Sequence, residues 1–364
     1  MTGKERALAA LHFEETDRIP VVGGMVRHPA FLARTAGASV EAFWQDLQGV
    51  AIQAFRSLGV DVIMGLILPE PGLESGAQFS YHEQSRFASP EEVREEVLRV
   101  TAQPAPLDPQ REYDAYLSAY LNKQAAVGED LLWVPTSFGH VAQFQHEGWL
   151  GAENYYMALA LYPEEMQRLF VHSAETVRQR NEATAKAILD HDLPRVMWIG
   201  QDICDSRGPY LAPAVMQELY LQYVQRSFEP LKEAGITIIW HADGNFMPIA
   251  RQLLEAGADG FQGIQETFGV PVRVEELNTL TTTSGHKPII VGSVSSATTM
   301  PFGTPREVGE EVERCRRLAR ERGGGWWLNF TSSLGPEVPE ENLHAFYAQA
   351  LPDSAYFSTT SPLI

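Results

Sequence analysis

The sequence predicts a single (β/α)8 barrel of the TIM type over residues 1–364, and three observations predict it. Short runs rich in Val, Ile and Trp alternate with longer stretches of helical period, the pattern of parallel strands joined by crossover helices. Eight such runs occur, which suits a closed barrel; an open doubly wound sheet is the structural rival. At 364 residues and 44% hydrophobic content the chain can bury one large core, and nothing in it marks where a second would begin.

The strands are expected at 19–23, 60–66, 131–135, 195–200, 236–240, 260–264, 288–291 and 325–330. Helices are expected at 40–58, 163–189, 213–234, 247–256, 305–322 and 339–350. Pro213 with Gly235, and Pro305 with Gly323, put proline in the first turn and glycine after the last, where each backbone preference fits. Residues of about 69–111 follow the second strand, carry Gly, Pro and polar residues with a short acidic helix at 90–100, and read as a lid-like insertion over the mouth. The Ser/Thr/Pro-rich tail of about 352–364 is expected to be flexible unless it docks.

Charge excludes whole classes of partner. With 28 basic against 47 acidic residues the formal charge is −19, which repels nucleic-acid backbones and anionic lipid. Cys204 and Cys315 are the only cysteines and form no secreted disulfide framework. The first residues lack the apolar stretch of a signal peptide, and runs such as Ile236-Thr-Ile-Ile-Trp240 are too short to cross a bilayer, so a cytoplasmic protein is expected.

In a parallel barrel the chemistry sits at the C-terminal ends of the strands. One strand runs directly into His241-Ala-Asp-Gly-Asn245, which presents His241 and Asp243 at that edge. Asp243 as a helix cap and His241 as a satisfied buried histidine is the bland alternative. Another strand leads to Asp202, Cys204 and Asp205; Asp202 comes first and is the better catalytic candidate, while Asp205 with Arg207 suits a surface brace. Gln265 and Glu266 follow a third, Arg27 and His28 the first, and Ser137 with His140 the strand at 131–135. Ser293 and Ser295, then Asn329 to Ser333, follow the last two. The expected assignment is His241, Asp243 and Asp202 as catalytic groups, with Arg27, His140, Gln265 and Asn329 binding substrate. His241, Asp243 and Glu266 form a possible ligand set for zinc or another divalent ion, although no pair has helical metal-motif spacing. Trp198, Trp240, Trp326 and Trp327 lie within strands and read as core, and Gly323-Gly-Gly325 precedes a strand and so is no nucleotide loop.

Lys4-Glu-Arg-Ala-Leu-Ala-Ala-Leu-His12 with Asp17-Arg-Ile-Pro20, Gly208-Pro with Pro213, His241-Ala-Asp-Gly-Asn245, Pro301-Phe-Gly-Thr-Pro305 and Pro336-Glu-Val-Pro-Glu-Glu-Asn342 occur in this order over nearly the whole chain. In combination they resemble the uroporphyrinogen decarboxylase superfamily, which includes that enzyme, corrinoid-linked methyltransferases acting on coenzyme M and, more distantly, cobalamin-independent methionine synthase. The resemblance to the decarboxylase implies arginines gripping the porphyrin carboxylates and an Asp at its pyrrole nitrogens. Here Arg27 matches one arginine, the second is missing near Ala30 and Phe31, and residues 66–69 contain no Asp. The resemblance to the methyltransferases implies zinc held by a His-x-Cys pair and a later Cys. His241 matches the histidine, Asp243 stands at the first cysteine and Ser332 falls at the second, a harder donor set for any metal.

The first reading is therefore a methyltransferase-like barrel acting on a small substrate at His241 and Asp243, with a corrinoid (methylcobalamin) on a partner protein supplying or receiving the methyl group. A decarboxylase or other lyase with Arg27 on a carboxylate is the second, and a ligand-binding barrel without catalysis the third.

Overall fold

The computed structural model of the protein describes residues 1–70, 86–103, 107–267 and 270–359. Eight strands form the barrel: β1 (Val22–Gly23), β2 (Val62–Met64), β3 (Leu132–Val134), β4 (Val196–Gly200), β5 (Thr237–His241), β6 (Gly260–Gln262), β7 (Ile289–Val294) and β8 (Trp326–Phe330). Each coincides with one expected from sequence, and neighbours pair in parallel within two arcs, β1 to β3 and β4 to β8. Single parallel bridges, Val21 with Leu328 and Thr136 with Trp198, join the arcs at both seams. The doubly wound rival is thereby set aside.

Side chains alternate across the wall. Val196 and Trp198 of β4, Ile239 of β5, Ile289 and Val291 of β7 and Trp327 of β8 fill the interior with Val22, Val62 and Leu132. Ile238, Trp240, Trp326 and Leu328 face the other way and pack in the larger cluster beneath the helices. All four tryptophans are at most 2% exposed, as core residues should be. The N-terminal helix Gly3–Leu11 closes the bottom of the barrel: Ala7, Ala10 and Leu11 join the interior cluster, and the Trp327 indole N–H donates to the Ala7 carbonyl at 3.0 Å.

Helix Pro305–Arg322 has both expected bounds, with a Thr304/Glu307 capping box at one end and Gly323 at φ +81° at the other. The stretch expected as one helix at 40–58 is two, Val40–Gln45 and Leu47–Leu58, because Asp46 takes φ −140° and caps the second through Gly49 N–H. The long helix Pro109–Val127 went unread because Pro109 lies in what sequence assigned to the insertion. Helix Pro90–Val100 forms as expected and packs against Ala152–Leu161 and Pro163–Asp190, with Tyr162 Oη donating to Glu91 at 2.7 Å. The rest of the lid-like segment, 71–85 and 104–106, lies outside the described residues. The tail expected to be flexible carries helix Ala355–Thr359, in which Phe357 meets His344 edge to face at 5.0 Å; residues 360–364 lie outside the described residues. No described helix is long and apolar enough to cross a membrane.

Candidate metal centre at the barrel mouth

The inward phase of β5 places His241 at the C-terminal end of the interior, where register sets it beside Gly200 of β4 and Gln262 of β6. A Cβ on Gly200 would lie 2.0 Å from the His241 carbonyl oxygen, so only glycine lets the strands approach there. After His241 the chain turns through Gly244 at φ +86°, a conformation that glycine adopts without strain. Asn245 N–H then donates to the Asp205 carbonyl at 2.7 Å, which locks this turn onto the loop after β4.

That lock brings three ligand-type groups together. Asp202 Oδ1 accepts from Asp243 N–H at 3.0 Å and lies 3.5 Å from His241 Nε2. One donor atom each from Asp202, His241 and Asp243 lies within 4.8 Å of the others. Ser332 Oγ donates to Asp243 Oδ2 at 3.4 Å, so the residue matched to the family's second cysteine does reach the site. Asp243 Oδ1 is sealed from solvent without a hydrogen-bond partner among the described residues. Burial, reinforced by the neighbouring Asp202 carboxylate, pushes the Asp243 carboxyl above its usual range, against the opposing pull of His241 and Ser332. Phe138 stacks on the imidazole at 5.7 Å and Trp198 meets it edge-on at 5.5 Å.

His241 Nδ1 lies 2.5 Å from Oε1 of Gln262, a fully buried residue absent from the expected set. Sequence pointed instead to Gln265, three positions further on and half-buried. The signal was the inward phase of β6, legible only once the β5–β6 register was known.

Of the remaining candidates, Glu266 and His140 are taken up by other partners. Glu266 does not join the ligand cluster: it opens a hairpin of Glu266–Thr267 against Val270–Pro271. Its carboxylate is taken up by Arg314 at 2.7 and 3.0 Å, Ser293 Oγ at 3.0 Å and Val274 N–H at 3.0 Å. An anion so fully bonded has little left for a cation. His140 faces the helical layer, its Nε2 3.1 Å from Thr184 Oγ1 and its ring edge-on to Tyr116. Burial, with Arg180 nearby, pushes the His140 imidazole down to about 4. It lines a pocket of about 460 Å³ with Tyr116, Trp133 and Arg180, between the ends of β2 and β3 and the helices Pro109–Val127 and Pro163–Asp190. Asn329 is buried inside the barrel, its amide N–H on Met25 Sδ at 3.0 Å. Arg27 stands after β1, its main-chain N–H on Leu334 O at 2.6 Å and its Nε sealed without a partner among the described residues. Asp205 and Arg207 form the expected brace at 2.8 Å, and His28 caps helix Pro29–Thr35.

The donor set suits a divalent ion. Two carboxylates and an imidazole are borderline-to-hard ligands, and tetrahedral bonds of ~2.1 Å would separate ligand atoms by about 3.4 Å, near the 3.5 Å between His241 and Asp202. A sealed, unpartnered carboxylate oxygen is what such an ion would satisfy.

No curated protein sequence matches this chain. A solved structure of a methyltransferase from Methanosarcina mazei superposes with a TM-score of 0.60 at 17% identity, over 96% of this chain and 98% of that one, a likeness that speaks for the fold. The uroporphyrinogen decarboxylase (URO-D) family profile matches residues 144–350, which hold β4 to β8 and all three ligand-type groups. That match covers more than half of the sequence, and the chain belongs to the uroporphyrinogen decarboxylase family.

Proposed function

We propose that this protein is a methyltransferase-like enzyme of its family that binds a divalent ion, zinc or a similar metal, through Asp202, His241 and Asp243. The observation that carries the reading is the juxtaposition of three donor atoms within 4.8 Å with an Asp243 oxygen that no other described residue satisfies. Such an ion, when bound, supplies Lewis acidity toward a small substrate's oxygen or sulfur. The chain's own groups do the rest. Asp202 holds the Asp243 turn through its N–H, Ser332 orients the Asp243 carboxylate, and Phe138 with Trp198 keeps water from two sides of the imidazole. A corrinoid protein as methyl partner rests on the family resemblance and on the fold shared with a methyltransferase.

A second reading has its own observation. An Asp243 carboxyl raised by burial can hold a proton and deliver it to a carbanion left by loss of CO2, with Arg27 gripping the substrate carboxylate. Elemental analysis of protein purified without added metal separates the two. The first reading expects near one equivalent of metal, lost in Asp243→Asn; metal-free protein from metal-replete cells would overturn it and favour the lyase.

A further inference from the structure

We infer that Gln262 is a positioning residue that fixes the proton of the neutral His241 ring on Nδ1 and turns its Nε2 lone pair toward Asp202 and Asp243. Hydrogen-bond chemistry leaves one arrangement. The Gln262 amide nitrogen lies 3.0 Å from the Thr331 carbonyl oxygen and 3.5 Å from that of Phe330. Main-chain carbonyls only accept, so the –NH2 must face them and Oε1 must face the imidazole. Flipping the amide would set oxygen against two oxygens inside a residue with 0% exposure, where no water can mediate. Oε1 in turn only accepts, so the 2.5 Å contact requires His241 Nδ1–H as donor. The ring nitrogen left without a proton is Nε2, 3.5 Å from Asp202 Oδ1.

Without the Gln262 oxygen the preference reverses. Nδ1 would have no acceptor, whereas a proton on Nε2 would face the Asp202 carboxylate, and the ring would close the cluster to a cation. Gln262 thus decides whether three ligand-type residues act as a site. The proton assignment stands alone; its use in metal binding rests on the methyltransferase-like reading.

The test is long-range 1H–15N correlation spectroscopy of the metal-free, full-length protein with 15N-labelled histidine, above the pH at which the ring loses its charge, with His241→Gln identifying the signals. Wild type should carry the proton on Nδ1. Gln262→Leu should move it to Nε2, and Gln262→Glu, which still accepts, should keep it on Nδ1. A wild-type proton on Nε2 overturns the inference and needs no variant to fold; so does a folded Leu variant that keeps Nδ1–H. In a chelator competition Gln262→Leu should bind zinc roughly 10–100-fold more weakly. A switched proton with unchanged zinc affinity would support the assignment and overturn the metal role.

Discussion

The two ends of the barrel each bury one carboxylate, Asp61 and Asp243, and treat it in opposite ways; Asp202 beside Asp243 is partly open to solvent. At the bottom, Asp61 is 1% exposed and saturated: Arg6 and Arg18 each reach it at 2.5 Å and Val21 N–H at 2.8 Å. Asp17 completes the group, its carboxyl held well below the usual range chiefly by its hydrogen bond from Arg6. At the mouth, two carboxylates share one imidazole, no arginine or lysine answers them among the described residues, and one Asp243 oxygen has no partner. Compensated charge at one end is what a structural network requires, whereas at the other the buried Asp243 has only an imidazole and a hydroxyl beside it.

That contrast can be broken from either side. Asp61→Ala should be the most damaging change, because it strands two arginines at a nearly sealed position and should cost about 3–5 kcal/mol of unfolding free energy in denaturant melts. Metal content per folded molecule should not change; a loss of metal with unchanged stability would erase the distinction between the ends.

His241→Ala tests the mouth. A strand-end position alone would leave a histidine nearly free of structural duties, but this one is bonded to Gln262 and enclosed by Phe138 and Trp198. The variant should lose bound metal and also about 1–3 kcal/mol of stability. Unaltered metal content would remove His241 from the site.

A smaller effect is a pH dependence. His140 and His146 are both held down to about 4, principally by burial. The unfolded chain therefore takes up protons near pH 6.5, before the folded protein does, and stability should fall as pH drops from about 6.5 toward 4. Thermal midpoints of a His140→Gln/His146→Gln double variant should depend less on pH across that window, and an equal slope would show that neither histidine is kept neutral by the fold. Smallest of all, Arg207→Ala removes a pair whose arginine side chain is 89% exposed, and should leave the melt and the metal content where they were.

Much of this was legible in the sequence, for identifiable reasons. The eight strands were readable because buried parallel strands are short continuous runs of Val, Ile and Trp, and His241 because its strand runs straight into a polar turn. Asp202 was readable as the first acid after β4. Sequence order could not say that the chain doubles back at Glu266, nor that Arg314, 48 positions later, would claim that carboxylate. Nor could it orient His140, whose turn Phe138–His140 sends one ring over His241 and the other toward the helical layer. Gln262 was hidden because its partners, His241 and the Phe330 and Thr331 carbonyls, lie on strands 21 and more positions away.

The helix that closes the bottom has a consequence for how the protein is made. Ala7 leaves the ribosome 320 residues before Trp327, whose indole anchors it, and Ala10 and Leu11 follow close behind Ala7. Until Trp327 is made this stopper has no closed barrel to sit in, and its apolar face must stay soluble while strands accumulate. Barrel closure thus waits for synthesis of β8, and a nascent chain stalled before Trp327 would present that apolar face to the cell's chaperones.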